Sequence, residues 1–269
     1  NIIDKSKFIE FDCSSLDFQL WLNSKRPKHI FHLCGQSSGE RSNEDPSNDF
    51  IKNVLSTRRI LSSSISNSAL KSISFASSMS VYGNKRNAKE TDEPKPISWY
   101  GRHKLLSENL INQFSQIRKN IICNSLRLFN VYGAGQDLND LKQGMISIFV
   151  SMAIKENFIQ IKGPSNRTRD FINVNDVVDG FLKASNRNKG SNYEVINLGT
   201  GKELEIKNIV ELICDKTHAS YEYQTNRTPF DQDFCSANLT KSSNILDFSP
   251  SRELTTELNN MIDWAKENY

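Results

Sequence analysis

Tyr100 and Lys104 stand four residues apart at the start of a predicted helix, which puts a phenol and an ammonium on one helical face. A lysine beside a tyrosine favours the phenolate, so the pair can act as a base near neutral pH although free tyrosine titrates near about 10. Upstream, the apolar run Ile73-Ser74-Phe75-Ala76 leads to two hydroxyls, Ser77 and Ser78, and to the turn-like Val81-Tyr82-Gly83. None of these features is specific alone. With 7 tyrosines in the chain, about half a Tyr-x-x-x-Lys match arises by chance. A Ser-Ser after a strand is more often a turn, and an Arg-Asp such as Arg169-Asp170 is more often a surface pair.

The elements that must hold these groups alternate in type. Lys7 to Asp12 reads as a strand, Leu16 to Asn23 as a helix capped by Ser14-Ser15, and His29 to Cys34 as a short apolar strand stopping at Gly35. Pro46 suits the first turn of a helix to about Ser66, with Phe50, Val54, Leu55 and Leu61 at helical spacing. Strand Ile73 to Ala76, helix Tyr100 to Phe114 and strand Asn120 to Arg127 follow. This alternation predicts an α/β fold, a doubly wound parallel sheet covered on both faces. Ligands in such sheets sit beyond the carboxyl ends of the strands. The Gly35 loop, Ser77-Ser78 and Phe129-Asn130 all lie at those ends, so one crevice should collect them. Beyond Gly133 the pattern loosens into helices 144–155, 176–184, 206–217 and 254–268, with strands at 158–161, 169–174 and 193–198. Residues 1–133 are expected to form the main sheet domain. Residues 134–269 should form mainly a smaller α/β substrate lobe, with segments around 171–200 returning to the sheet.

Composition narrows the classes. At 269 residues with 37% hydrophobic and 24% charged side chains, the chain can bury a full core. No apolar run approaches the roughly 18 residues of a membrane span, and the start has no signal-peptide design, so a cytoplasmic protein is expected. A net charge of +3 with scattered lysines gives no nucleic-acid footprint. The 5 cysteines form no C-x-x-C pair and have no histidine at zinc spacing. They read as reduced thiols rather than metal ligands.

Seven pieces in order carry a resemblance: His32-Leu33-Cys34-Gly35-Gln36-Ser37, Asp45-Pro46 with Asn53-Val54, Ser77 to Gly83, Tyr100 to Lys104, Leu126 to Gly133, Arg169 to Asp176, and Asn197-Leu198-Gly199-Thr200-Gly201. The chain resembles the extended short-chain dehydrogenases, in particular NAD-dependent sugar-nucleotide epimerases and dehydratases of the UDP-glucose 4-epimerase type. The resemblance implies a Rossmann-type sheet and NAD as cofactor. It makes Tyr100 the base toward a sugar hydroxyl, Ser78 the hydrogen-bonding partner of the reacting oxygen, and Lys104 the group that holds the nicotinamide ribose and depresses the tyrosine pKa. Leu33, Cys34 and Gly35 would lie along the dinucleotide, Asn53 would support their loop, and Asp12 and Cys13 would approach the adenine. Asn130 and Arg169 match residues that hold the nucleotide diphosphate. Arg227 is a weaker match, because Arg227-Thr228-Pro229-Phe230-Asp231 departs from the family's Arg followed closely by Gly-Asp. The helices beginning near Pro46 and Tyr100 match those that pair two subunits in a four-helix bundle, and outward faces that include Leu105, Ile111 and Phe114 are consistent with that, although core packing inside one subunit explains the same residues. The resemblance implies a homodimer.

Two departures qualify these expectations. Family dehydratases carry Asp-Glu directly after the Ser/Thr, whereas here Met79 and Ser80 stand there. Neither protonates a leaving hydroxyl, so epimerisation of a UDP-hexose at C4 through a transient keto-sugar is favoured over dehydration. A sugar-nucleotide reductase needs the same Ser, Tyr and Lys and stays open. The second departure is the start of the chain. The family's order places Asn1 near its third strand, so the fold is expected to be N-terminally truncated, without the Gly-rich turn aimed at the pyrophosphate. NAD binding by this polypeptide is accordingly expected to be weak, and a non-catalytic sugar-nucleotide-binding remnant is the alternative function.

Overall fold

The computed structural model describes residues 8–226 and 228–269. Four parallel strands form the main sheet: β1 (His29–His32), β2 (Ser72–Ser78), β3 (Ile122–Leu128) and β4 (Tyr193–Leu198), side by side in chain order. The register pairs His29 with Ser72, Ser72 with Ile122, and Cys123 with Tyr193. Burial of β2 and β3 on both faces explains why their sequences lack a two-residue alternation.

Helices α1 (Leu16–Lys25), α2 (46–64), α3 (Trp99–Ile117) and α4 (Val174–Ser185) pack on this sheet. Ile73, Phe75 and Cys123 pack with Leu61 of α2 and Ile111 and Phe114 of α3. Leu126, Ile196 and Leu198 pack with Val177, Phe181 and Ala184 of α4 on another core cluster. Ile111 and Phe114 are therefore core residues, at 0% and 4% exposure, packed inside one subunit and not on an outward face of α3. Exposed instead are Trp99 and Leu106 on α3, and Phe50 and Ile51 on α2.

The expected strand over Lys7 to Asp12 is absent from the described residues 8–12. A strand exists through its ladder, and β1 is paired only on the β2 side among the described residues. Residues 36–45 contain a short helix, Gly39–Glu44, and the segment after Ser78 contains strand Lys85–Ala88, paired with Cys235–Ala237.

A second core unites helices Met145–Glu156, Ile206–Thr217 and Leu254–Asn268 over the parallel pair Phe158–Lys162 and Ser220–Gln224. Asn130–Tyr132 pairs with Phe171–Asn173 between the two cores. No helix among the described residues is long and apolar enough to cross a membrane.

Candidate active site

β2 ends at Ser78, whose Oγ accepts from Ser80 N–H at 3.1 Å and so caps the short 3-10 turn Met79–Val81. α3 begins one residue after its own cap, Ser98, whose Oγ accepts from Gly101 N–H at 3.2 Å. Gly101 lets these two turns touch, because a Cβ there would strike the Ser80 carbonyl oxygen at 2.5 Å. The Tyr100 hydroxyl consequently hydrogen-bonds Ser78.

One turn further along α3, Lys104 is 4% exposed. Its Nζ donates to the Ala76 carbonyl at 2.9 Å and lies 4.8 Å from the Phe75 ring centre and 5.6 Å from that of Tyr100. Burial lowers the lysine pKa to about 8, an effect partly offset by Cys34, Asp49 and Glu108. Burial pushes the Tyr100 phenol up to about 12 although the Ser78 hydrogen bond acts in the opposite direction. The Lys104 ammonium is bound to the Ala76 carbonyl and lies beside the phenol ring, and loss of water around the phenolate is the largest cause of the upward shift.

Glu108 adds a further rung on the same helical face. Its carboxylate accepts from Ser77 Oγ and from Arg127 Nε and Nη2 at 2.9 and 2.7 Å. Arg127 also lies 4.6 Å over the Tyr82 ring, and Tyr82 donates to Asn197 Oδ1 at 2.7 Å. Glu108 escaped the sequence reading, although the spacing Tyr100, Lys104, Glu108 was available.

On the facing side, α2 widens into a π-type turn at Ile51–Leu55, which carries the buried Asn53. Asn53 Nδ2 donates to the Gln36 carbonyl at 3.0 Å and to Asp49 Oδ1 at 3.1 Å. Asp49 also receives His103 Nδ1 at 2.6 Å and Gln36 Nε2 at 2.7 Å. Gly35, at φ +143°, passes so close that a Cβ would collide with Asn53 Oδ1, with Lys104 Nζ next to it.

A cavity of about 1000 Å³ is lined by Leu33, Gly35, Ser78, Tyr100, Lys104, Asn130 and Arg169, with Asn53 behind its wall. A smaller cavity of about 400 Å³ meets it at Gly35 and contains Asp12, Cys13 and Cys34. The residues expected along the dinucleotide thus occupy a continuous wall. They fit such a ligand at Lys104, whose ammonium has three donors and one hydrogen-bonded acceptor among the described residues.

The diphosphate residues are placed less simply. Asn130 Nδ2 donates to the Asp170 carbonyl at 2.9 Å. Arg169, 1% exposed, is engaged: Nη2 donates to Asp231 Oδ1 at 2.7 Å and to the Gln232 carbonyl, and Nη1 to the Thr168 carbonyl at 2.8 Å. Arg167 shares Asp231 and also lines the cavity. The expected Arg227 lies outside the described residues.

The model of the NAD dependent epimerase/dehydratase family matches residues 1–199. UDP-glucose 4-epimerase of Mycolicibacterium smegmatis is 31% identical over 81% of the chain and 69% of its own length. A putative UDP-glucose 4-epimerase of Methanocaldococcus jannaschii is 29% identical over 100% of the chain and 87% of its own. Among solved structures, MoeE5 in complex with UDP-glucose and NAD superposes with a TM-score of 0.86 at 26% identity, covering 96% of this chain and 85% of that one.

Proposed function

Because the chain belongs to the NAD-dependent epimerase/dehydratase family, we propose that it interconverts nucleotide-activated hexoses, of the UDP-hexose class, at C4 through a transient keto-sugar. The observation that carries this reading is the hydrogen-bonded pair Ser78 and Tyr100 beside Lys104 in the larger cavity, with Met79 and Ser80 where an acid for dehydration would be needed. Tyr100 takes the proton of the sugar hydroxyl, and Ser78 hydrogen-bonds the same oxygen. Lys104 holds the ribose of the dinucleotide with the donors left over from Ala76. Leu33, Gly35 and Cys34 run along the dinucleotide, Asn53 fixes their loop, and Asp12 and Cys13 take the adenine end. NAD, when bound in oxidised form, supplies the hydride acceptor and a positively charged ring. That charge favours a phenolate that burial alone disfavours.

Asn130 and Arg169 are the diphosphate residues of this reading. Since Arg169 is held by Asp231, the substrate competes with that carboxylate or uses the field of Arg167 and Arg169 together. The smaller α/β part, beginning at about residue 134, closes over the sugar nucleotide, and two copies pair through α2 and α3.

The test is incubation with NAD and either UDP-glucose or UDP-galactose, followed by chromatographic separation of the two. Tyr100→Phe should lower turnover by about 10²-fold or more, the usual scale for removing an acid–base group. Undiminished turnover in that variant would overturn the mechanism. A second reading, reduction of a nucleotide-linked keto-sugar, uses the same Ser78, Tyr100 and Lys104. It is separated by stoichiometric consumption of NADPH.

A further inference from the structure

Two thiols far apart in sequence meet at the smaller cavity. The turn after Asp12 is fixed by Ser15 N–H donating to the Asp12 carbonyl and Ser14 N–H to Asp12 Oδ1, both at 2.9 Å. It presents Cys13 to Cys34, which lies just past the end of β1. The two side chains hydrogen-bond each other. Both pack against the cluster of Phe18, Leu22 and Ile60, both are partly exposed, and both line the cavity that opens at Gly35.

Their surroundings make the two thiols unequal. Thr57 Oγ1 donates its proton to the Asn53 carbonyl at 2.7 Å, so it accepts from His32 Nε2, also at 2.7 Å. His32 Nδ1 is then a bare acceptor, 3.2 Å from Cys34 Sγ. Cys34 has one proton and two acceptors in reach, His32 Nδ1 and the Cys13 sulfur. The hydrogen bond to Cys13 and burial raise the Cys34 pKa, and the same bond lowers that of Cys13 to about 7. The remaining cysteines are less reactive by this measure. Burial pushes Cys123 and Cys235 each up to about 12, and burial also raises Cys214.

We propose that Cys13 and Cys34 form an oxidisable dithiol, a modification site for peroxide, whose disulfide ties the Asp12 turn to the end of β1 and closes the smaller cavity. Cys13 thiolate attacks one peroxide oxygen and the O–O bond breaks. Cys13 becomes a sulfenic acid, and the departing hydroxide takes a proton to leave as water. The Cys34 sulfur then attacks the sulfenic sulfur, the S–S bond forms, and the displaced hydroxide leaves with the Cys34 proton as a second water. Both sulfurs are oxidised and the peroxide is reduced, with no further reactant needed. If the adenine end of NAD lies in this cavity, which rests on the reading under Proposed function, the disulfide weakens its binding.

The experiment treats the reduced protein with one equivalent of hydrogen peroxide and measures its intact mass, its peptide map and its affinity for NAD. The expected result is a loss of two hydrogens mapped to Cys13 and Cys34, reversed by dithiothreitol. Cys34→Ser should stop at a sulfenic acid on Cys13 that dimedone captures. NAD should bind the oxidised protein about tenfold more weakly or worse. Cys13 and Cys34 both alkylated by iodoacetamide after peroxide, or oxidation spread equally to Cys214, would overturn the dithiol. A mapped Cys13–Cys34 disulfide with NAD affinity unchanged upholds the dithiol and refutes instead the placement of adenine beside it.

Discussion

An ammonium that is 4% exposed, with one carbonyl as its hydrogen-bonded acceptor, opposes folding at neutral pH. The Lys104 pKa falls from 10.5 to about 8 on burial, a gap that corresponds to about 3 kcal/mol. The sign follows from proton counts. Between about 8 and 10.5 the unfolded chain binds more protons at this residue than the folded one, so this contribution to stability rises with pH. Below that window the cost is present in full. Lys104→Met deletes the charge and keeps most of the stem, at the loss of a hydrogen bond contributing about 1 kcal/mol. The variant should be more stable than the wild type by about 1–2 kcal/mol near pH 7, with the gain shrinking toward pH 10. Under the proposed function it should also lose turnover, because the ribose would lose its donors. Thermal unfolding at both pH values checks this, and a variant less stable at both would refute it. The spacing of Tyr100 and Lys104 was legible in the sequence. Their electrostatic surroundings were not, because Phe75 and Ala76 come from β2, and contacts across that separation leave no local pattern.

At the level of elements, α3 is fastened to the end of β2 by two successive rungs, Lys104 to the Ala76 carbonyl and Glu108 to Ser77. This register brings Ser78 under Tyr100. Glu108 is also the partner of the buried Arg127. Glu108→Gln leaves that guanidinium without its charge partner, and the expected loss is about 3–5 kcal/mol. Ser77→Ala removes one hydrogen bond and should lose only about 1 kcal/mol. Urea unfolding of the two variants separates a charge partnership from a simple hydrogen-bond ladder, and equal losses would contradict the former. Several elements could be read in advance. Helices Ile206–Thr217 and Leu254–Asn268 match the expected bounds, since amphipathic spacing is a local signal. The strand expected before Asp12 failed because alternation of residue types cannot report whether a neighbouring strand is there to pair. The π-type turn that carries Asn53 was equally hidden, because a one-residue widening of a helix leaves the apolar spacing almost unchanged. Arg169 was found by its motif, but its partner Asp231 lies 62 residues away and nothing in the motif announces it.

For the molecule as a whole, the exposed apolar residues on α2 and α3 raise the question of assembly. Phe50, Ile51, Trp99 and Leu106 are 44%, 42%, 41% and 45% exposed. They stand apart from the core residues Leu61 of α2 and Ile111 and Phe114 of α3. A pair of helices with one face in the core and a second apolar face outward is suited to a two-fold partner, because the same patch on a second copy is self-complementary. Leu106→Glu should therefore convert a dimer to a folded monomer in sedimentation, with the circular dichroism spectrum unchanged. Ile111→Glu provides the contrast. It buries an unpaired carboxylate in the cluster of Ile73, Phe75 and Cys123 and should unfold the chain rather than dissociate it. A wild-type protein that sediments as a monomer at about 10⁻⁵ M, where an interface of about −8 kcal/mol would still hold, would refute the pairing. Separation of the two variants in this way would assign the outer face of α3 to assembly and its inner face to the site. One helix would then carry Tyr100, the clamp to β2 and the subunit contact, so loss of the dimer should also lower turnover through the orientation of Tyr100.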